Sequence, residues 1–476
     1  MLGRKYEYDL IKNCIQSERA ELGIVYGRRR VGKSTLLQTL RKETRNLYFE
    51  GIKGLSTQEQ IEHFCKQLAD QTQSMPVVAR QWQDAFDALS IHISKKKYYV
   101  VFDEFPWMAS EQKKLVSILK YYWDNHWKKN NQLTLMLCGS IAQFMIKHLV
   151  HSEALHNRKT FELKLEPLPA HEAAFFFKKK RSAFEIAKFL MIFGGIPKYL
   201  EQININHSLE KNMDRLCFMK GGFFLNEFET IFKEQFKVSK TYEAIVLALS
   251  QSKLTKEDLA RKIKMSAGGG LTVYLKNLEQ ADFIRRELSL DLTGKSLKSK
   301  TARYALSDEW LRFYFAYMHD SLKVLVRNTH EGLFDQMTRT SLANYFGINF
   351  ENFCIQNISD IIRLLDLRPS EVLQWGPYFQ QPSRSSAKKK KGTQIDLLIQ
   401  RRGQNYSLIE CKFTENPVQP SIIQDVESKI KALKVPKKVT LERVLIAANG
   451  VHPKVAQADY FHKILTLDDF LSIRHL

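Results

Sequence analysis

The sequence lacks several features that would place it in a common structural class. Its 6 cysteines include no CxxC pair and no cysteine-histidine cluster at metal-ligand spacing, which argues against a disulfide framework and a structural zinc site. No run of 18 consecutive apolar residues occurs, and no apolar stretch follows the first charges of the chain. We therefore expect a soluble cytoplasmic protein without a membrane partner.

Acidic residues are scarce relative to basic ones. Lysine and arginine total 73 against 51 aspartate and glutamate residues, so the formal net charge is +22. Such a surplus favours a polyanionic partner such as nucleic acid, although it says nothing about the fold. The 476 residues, of which 44% are hydrophobic, are enough for two to four domains and exclude a disordered chain.

The N-terminal third alternates short apolar strands with amphipathic helical patterns. The predicted strands are Leu22–Tyr26, Asn46–Glu50, Tyr98–Asp103, Leu133–Gly139 and Thr160–Leu165. This alternation predicts βαβ units, and hence a parallel sheet covered by helices on both faces. We expect this α/β domain to span residues 1–166.

Two smaller domains are predicted to follow. Strand patterns are absent from 167–236, where phenylalanines at helical spacing predict a helical lid. In 237–334, helices around a glycine turn precede two strands with the polar tip Thr293–Lys300, which predicts a winged helix. Lys276 is the one cation on the predicted recognition helix, so this domain either grips phosphates through its wing or binds a protein partner.

Residues 335–476 are predicted to form a second α/β domain. Its predicted elements are the helices Phe346–Ile358 and Pro420–Leu433 and the strands Val372–Tyr378, Gln394–Ile399, Ser407–Phe413 and Val439–Ala447. The basic stretch Gln380–Gly392 between two of these strands predicts a flexible loop that either contacts a phosphate backbone or is solvated.

A glycine-rich loop after the first strand matches the GxxxxGK[ST] phosphate-binding pattern. Its candidate nucleotide-binding residues are Gly27, Arg28, Arg29, Arg30, Val31, Gly32, Lys33, Ser34 and Thr35. Glycines let backbone N–H groups surround phosphates, Lys33 would reach the terminal phosphates, and the Ser34 hydroxyl would ligate magnesium. The three arginines face either phosphate or solvent.

An aspartate and a glutamate end the third predicted strand, at the edge where open α/β sheets bind ligands. Asp103 would hold magnesium through water, and Glu104 would polarise the attacking water as general base. Alone, this pair is typical of a helix N-cap beside a solvated charge. Because it follows a phosphate-binding loop, we favour the catalytic interpretation.

Two further candidates follow from position alone. Ser140 ends the fourth predicted strand, and its hydroxyl either senses the terminal phosphate or caps a helix. Arg158 precedes the fifth strand and either supplies charge to the transition state, within its own subunit or on a neighbour, or is solvated.

Residues 1–330 resemble the STAND-type branch of the AAA+ ATPases, which is common in archaea and many bacteria. The matching segments are the phosphate-binding loop, Val101–Phe105, Cys138–Ser140, Phe193–Leu200 with its Gly-Gly-Ile-Pro-Lys-Tyr sequence, and Tyr304–Asp308. The resemblance implies ATP rather than GTP as the cofactor, ATP-controlled oligomerisation or conformational switching, and a winged helix after the lid. The Asn-Lys-x-Asp pattern that recognises guanine is absent, which agrees with ATP as the cofactor.

The last predicted domain carries a second candidate site. Glu410 and Lys412 project from one face of a predicted strand, and Asp396 lies on the preceding strand. Asp396 and Glu410 would bind one or two divalent ions, magnesium or manganese. Lys412 would position or deprotonate the water, and Glu351, on the preceding helix, would add a carboxylate.

This arrangement resembles the PD-(D/E)XK, or restriction-endonuclease-like, nucleases over 335–476, with Ile395 in the position of the usual proline. The resemblance implies a metal-dependent nuclease that acts on DNA under control of the ATPase. One alternative is a nucleotide-switched signalling protein whose nuclease-like domain binds DNA without cutting. Another is an ATPase that remodels a protein partner. In a third alternative, Asp396, Glu410 and Lys412 have no catalytic role and are exposed charged or capping residues on two strands.

Overall fold

The computed structural model describes residues 3–473 except 95, 111–113, 237–239, 291–301, 381–392, 434 and 437. The chain forms two compact units. The first contains residues 1–168, 196–198 and 231–237, and the second contains 169–195, 199–230 and 238–476. The wing tip Thr293–Lys300 and the basic residues of the loop Gln380–Gly392 lie outside the described residues.

The first unit is built on a five-stranded sheet of order β2-β3-β4-β1-β5, in which all neighbouring strands are parallel. The strands are β1 (Glu21–Tyr26), β2 (Asn46–Glu50), β3 (Tyr98–Asp103), β4 (Leu133–Gly139) and β5 (Phe161–Lys164). The helices are α1 (Lys5–Gln16), α2 (Lys33–Thr39), α3 (Thr57–Thr72), α4 (Trp82–Ile93), α5 (Phe105–Met108), α6 (Lys114–Asn125) and α7 (Ala142–Met145). The predicted parallel sheet is confirmed.

Strand β3 shows why this sheet is covered on both faces. Val100 and Phe102 pack into one apolar cluster, and Tyr99 and Val101 pack into another on the opposite face. Side chains alternate along a strand, so a continuous apolar run is stable only when both faces are buried. The two clusters together fix the strand end that carries Asp103.

The strand order determines which loops meet. Strand β4 pairs with β1 on one side and with β3 on the other. Because parallel strands end at the same edge, the loops that follow β1, β4 and β3 lie side by side. The loop after β1 leads to Lys33 at the start of α2, and the loops after β4 and β3 contain Ser140 and Glu104.

All described elements between residues 170 and 236 are helical, as predicted. They include α8 (Ala170–Ala173), α9 (Ala183–Phe193), α10 (Pro197–Leu200), α11 (Leu209–Met213) and α12 (Glu227–Phe236). The chain then forms α13 (Lys240–Gln251), β6 (Leu254–Thr255), α14 (Lys256–Lys262), α15 (Gly269–Gln280), β7 (Ile284–Glu287) and β8 (Arg303–Leu306). The strands form an antiparallel sheet of order β6-β8-β7. The winged-helix interpretation stays a prediction.

The C-terminal part of the second unit contains a mixed sheet of order β13-β12-β11-β10-β9. Its strands are β9 (Val372–Gln380), β10 (Thr393–Arg401), β11 (Asn405–Lys412), β12 (Thr440–Ala447) and β13 (Lys463–Leu465). The helices are α16 (Glu309–Tyr317), α17 (Leu322–Leu325), α18 (Leu333–Thr338), α19 (Leu342–Gln356), α20 (Ile358–Leu364), α21 (Ser421–Leu433), α22 (Pro453–Gln457) and α23 (Leu467–Leu471). The predicted second α/β domain is confirmed, and β13 was not predicted.

Helix α21 follows strand β11 and covers the sheet. Its buried residues Ile422 and Val426 pack with Leu398 and Leu408 of the two central strands. Strands β9, β10 and β11 are antiparallel, whereas β11, β12 and β13 are parallel. Among the described residues, no helix is both long enough and apolar enough to cross a membrane.

Candidate functional site

The glycine-rich loop wraps around the side chain of Lys33. The Lys33 ammonium is buried and donates hydrogen bonds to the carbonyl oxygens of Gly27, at 3.0 Å, and Arg28, at 2.9 Å. Gly27 has φ +146°, and a Cβ there would collide with the Leu165 carbonyl oxygen. The turn therefore requires glycine at this position, and Lys33 holds the loop closed where a phosphate would bind.

The other predicted loop residues differ in burial. Arg28 and Val31 are buried, Arg29, Arg30 and Ser34 are partly buried, and Thr35 is exposed in the first turn of α2. Arg30 has φ +72° in the tight turn before Gly32. Ser34 offers a hydroxyl oxygen and Asp103 a buried carboxylate, which are the ligand types that magnesium prefers.

Asp103 is held by two donors at the carboxyl end of β3. Its Oδ1 accepts a hydrogen bond from the Glu104 backbone N–H at 2.9 Å, and its Oδ2 accepts one from the Tyr48 hydroxyl. Burial and the neighbouring Asp103 raise the pKa of Tyr48, so this hydroxyl stays protonated and donates. Sequence reasoning missed Tyr48, which lies on the neighbouring strand β2.

Glu104 and Ser140 are brought together as the strand order predicts. Ser140 donates to Glu104 Oε2 from its hydroxyl at 2.9 Å and from its backbone N–H at 3.3 Å. Burial raises the pKa of Glu104, although Lys33 and the two Ser140 bonds oppose the shift. A raised pKa suits a general base that must accept a proton near neutral pH.

Three segments distant in sequence brace this site, and none of them was predicted as part of it. Arg4, buried before α1, donates to the carbonyl oxygens of Val31, at 3.2 Å, and Glu166. The Lys198 backbone N–H lies 3.5 Å from the Arg30 carbonyl oxygen, and the Gln235 amide donates to the Ser140 carbonyl oxygen at 2.7 Å. No local pattern marks Arg4 or Gln235, whereas Lys198 lies in the Gly-Gly-Ile-Pro-Lys-Tyr segment.

Arg158 lies in an ion pair on the first unit. Its Nε donates to Asp124 Oδ1 of α6 at 2.7 Å, and its Nη1 donates to the His156 carbonyl oxygen at 3.2 Å. These contacts favour the alternative in which Arg158 is a surface residue without a catalytic role. A role in the transition state would require it to leave Asp124.

In the second unit, Asp396 lies on β10 next to Glu410 on β11. Leu397 pairs with Ile409 in the antiparallel ladder, which places the two carboxylates beside each other. Asp396 Oδ2 accepts a hydrogen bond from the Cys411 backbone N–H at 2.9 Å. Burial and the neighbouring Glu410 and Glu351 raise the pKa of Asp396 to about 7.

Glu410 is fully buried and is paired with two lysines. Lys429 of α21 donates to both carboxylate oxygens at 2.7 Å, and Lys412 donates to Oε1 at 2.8 Å. Burial lowers the pKa of Lys412, but the contact with Glu410 outweighs it, so the net shift is upward. Lys412 is therefore a cation at neutral pH, and Lys429 is a member of the site that sequence reasoning missed.

Glu351 lies on α19 at the edge of the same cavity. Its Oε2 accepts a hydrogen bond from the Gln394 amide at 3.3 Å, and burial raises its pKa. The cavity has a volume of about 600 Å³ and is also lined by Asp396, Lys412 and Lys429. The structure thus brings Glu351, Asp396 and two lysines around one opening, and both lysines are bonded to the buried Glu410.

The carboxylate oxygens of this cavity are the donors that magnesium and manganese prefer. Among the described residues, however, no group of three or more histidine, cysteine, aspartate or glutamate side chains is arranged to hold a metal ion. Both oxygens of Glu410 accept hydrogen bonds from ammonium groups instead. The predicted metal ligands Glu351, Asp396 and Glu410 stay a prediction, and a cation at Glu410 requires the lysines to move.

Family comparisons match two separate parts of the chain. Residues 1–203 match the model of an ATPase domain found predominantly in Archaea. The N-terminal region is an archaeal-type P-loop ATPase domain. Residues 314–428 match a family described as archaeal and bacterial proteins of unknown function, and this match includes Asp396, Glu410 and Lys412.

Individual proteins that are similar to this chain share only a low sequence identity with it. It is 26% identical over 398 residues, or 83% of each chain, to the uncharacterized protein MJECL04 of Methanocaldococcus jannaschii. The Walker-type ATPase PABY2304 of Pyrococcus abyssi is 15% identical with a TM-score of 0.48, over 66% of this chain and 96% of that one. The Aeropyrum pernix ORC2 protein in ADPNP-ADP complexes is 13% identical with a TM-score of 0.43, over 68% of this chain and 94% of that one.

Proposed function

We propose that this protein is an ATPase whose nucleotide cycle controls a metal-dependent DNA nuclease in its C-terminal domain. The ATPase half is supported by the family match of residues 1–203. The nuclease half is supported by one observation above all: Asp396 and Lys412 line one cavity, and the buried Glu410 lies beside Asp396 in the sheet and is bonded to Lys412. The proposal includes the STAND-type assignment, the winged helix and the four domain boundaries predicted from sequence.

In the nucleotide site, each residue has a role that its position supports. Lys33 would exchange its bonds to the Gly27 and Arg28 carbonyl oxygens for bonds to the terminal phosphates of ATP. Glu104 would accept a proton from the attacking water once it is released from Ser140. Magnesium, held by Ser34 and through water by Asp103, would neutralise charge on the phosphates.

In the C-terminal site, Asp396 and Glu410 would hold a divalent cation, which supplies Lewis acidity for phosphodiester hydrolysis. Lys412 lies beside Glu410 and lines the cavity, and its side chain is 37% exposed. From that position it can orient a water molecule and contact the scissile phosphate. The net charge of +22 would attract the DNA backbone.

A second candidate function is a nucleotide-switched protein that binds DNA without cutting it. The pairing of Glu410 with two ammonium groups favours this candidate, because it neutralises the carboxylate that a nuclease needs for its metal. The presence of Asp396, Glu410 and Lys412 together favours cleavage, since a protein that only binds DNA does not need all three.

The test is cleavage of supercoiled and linear DNA by the full chain with magnesium or manganese, with and without ATP. The wild type should nick or cut DNA, Lys412→Ala should lose cleavage while keeping ATP turnover, and Lys33→Ala should lose ATP turnover. Lys431→Ala is the matched control, because Lys431 is an exposed lysine on α21.

Each outcome points to one candidate. Metal-dependent cutting that Lys412→Ala abolishes supports the nuclease, and dependence of the cutting on ATP supports its control by the ATPase. Absence of cutting with intact ATP turnover and DNA binding supports the non-cleaving candidate. Cutting that survives Lys412→Ala would contradict the site assignment.

A further inference from the structure

Lys429 reaches the proposed nuclease site from a different element than the three sequence-motif residues. Those residues lie on β10 and β11, whereas Lys429 lies on α21, which packs over both strands. Its Nζ lies 2.7 Å from each oxygen of Glu410. A single ammonium placed between both oxygens occupies the position in which the carboxylate would otherwise chelate a metal ion through both oxygens.

The surrounding charges explain why this ammonium lies there. Glu410 is fully buried, so without counter-charges its ionised form would be strongly disfavoured. The other charged groups that face the cavity are Glu351 from α19, Asp396 from β10 and Lys412 from β11. Lys429 and Lys412 together offset part of the negative charge of the three carboxyl groups, which are those of Glu351, Asp396 and Glu410.

We propose that Lys429 is a positioning residue that occupies Glu410 when the site holds no divalent cation and turns to the scissile phosphate when Glu410 binds one. This inference rests on the proposed nuclease function. An ammonium and a divalent cation at the same carboxylate repel each other, so the Lys429 ammonium at Glu410 opposes binding of the cation there. The Lys429 side chain is 28% exposed, so its displaced ammonium has an open path into the cavity where a phosphate would enter.

Lys429 and the metal ion therefore compete for one carboxylate, and this competition can be measured without any cleavage. Manganese binding to the full chain, free of nucleotide and DNA, is titrated by electron paramagnetic resonance for the wild type and for variants. Asp396→Asn identifies the binding that belongs to this site. Lys429→Met removes the competing charge, Lys429→Arg keeps it, and Lys431→Met removes a charge from the exposed side of the same helix.

We expect Lys429→Met to bind manganese about fivefold or more tightly than the wild type, because one like charge has left the site. Lys429→Arg and Lys431→Met should bind it as the wild type does. DNA cleavage by Lys429→Met at saturating manganese should fall about tenfold, because the phosphate loses a contact. Melting temperatures of all variants show whether each is folded, and Lys429→Gln replaces the methionine variant if that variant is not.

The results separate the inference from the function on which it rests. Manganese affinity that is unchanged or weaker in both Lys429→Met and Lys429→Gln would overturn the inference and leave Lys429 as a structural partner of Glu410. A wild type without any manganese binding that depends on Asp396 would overturn the proposed nuclease itself, and the inference with it.

Discussion

At the scale of single residues, the proposed nucleotide site includes a tyrosine that no motif contains. The Tyr48 hydroxyl donates to Asp103 Oδ2 and fixes the rotation of this carboxylate, whose other oxygen accepts the Glu104 backbone N–H. Side chains that orient a metal-binding carboxylate commonly tune its affinity for the metal. Tyr48 is therefore expected to affect magnesium more than ATP itself.

The substitution Tyr48→Phe tests this expectation. The magnesium concentration that half-saturates ATP hydrolysis should rise about tenfold, because Asp103 loses the bond that orients it, while binding of a fluorescent ATP analogue in EDTA stays unchanged. Tyr121→Phe, at a tyrosine that is 55% exposed, is the matched control. If ATP hydrolysis by Tyr48→Phe and by the wild type depended on magnesium concentration in the same way, the proposed role of Tyr48 in magnesium binding would be contradicted.

Asp396 predicts a pH-dependent stability. Burial and the neighbouring Glu410 and Glu351 raise its pKa to about 7 from the ordinary value near 4, so the folded chain binds this proton more tightly than the unfolded chain. The contribution of Asp396 to stability is therefore present at low pH and is lost as the pH rises through about 7.

Asp396→Asn removes the charge and keeps an oxygen that can accept the Cys411 N–H. In metal-free buffer the variant should melt a few degrees above the wild type at about pH 8, and much closer to the wild type at about pH 4, where Asp396 is largely protonated in the folded chain and about half protonated in the unfolded chain. Thermal melts across this range provide the measurement. A gain in melting temperature that is equal at both pH values would show that the charge of Asp396 is not the cause.

Sequence alone could identify the residues that stand in local patterns. Lys33, Glu104 and Asp396 each follow or begin an apolar strand, and their chemistry follows from that position. Tyr48 and Lys429 have no such pattern, since each is a single polar residue whose partner is distant along the chain. Only the strand order and the packing of α21 bring them to their carboxylates.

At the scale of elements, apolar periodicity predicted the strands better than it predicted the helix ends. Strands β2, β3 and β4 have the predicted bounds, because they are apolar runs bounded by polar residues. Strand β13 has only three residues, too few to show an alternation. Helix α19 begins at Leu342 rather than Phe346, since its first turn carries only a weak apolar pattern.

The loop between β1 and α2 allows an element-scale prediction. Gly27→Ala should weaken binding of ATP at least about tenfold, because the new Cβ meets the backbone of Leu165 and the loop must shift. Gly54→Ala is the matched control, since Gly54 also has a positive φ, +88°, but has open space around it. Binding of a fluorescent ATP analogue measures both. Similar losses in the two variants would show that backbone strain alone is responsible.

At the scale of the whole molecule, the charge of +22 predicts a steep salt dependence of DNA binding. If about six phosphates are neutralised, the affinity should fall about a thousandfold between about 50 and 200 mM salt, because bound counterions are released from DNA. Anisotropy of a labelled duplex in EDTA measures this binding without cleavage. A nearly flat dependence would show that the basic surplus does not contact DNA.

The composition of the two compact units could not be predicted from sequence. Residues 196–198 and 231–237 belong to the first unit although at least 27 residues separate them from Leu168. Sequence patterns describe neighbours along the chain, so they divide it into consecutive pieces. The bonds of Lys198 to Arg30 and of Gln235 to Ser140 join distant pieces and are visible only in the folded chain.

The three-part composition of the first unit limits how this protein can be shortened or recombined. A gene fragment that stops after Leu168 encodes all five strands of the parallel sheet but neither Lys198 nor Gln235. A single crossover between two related genes that falls just after Leu168 therefore exchanges only part of this unit. Inheritance of this unit as a working whole requires the stretch from the N-terminus to about Lys237, together with the intervening helices of the second unit.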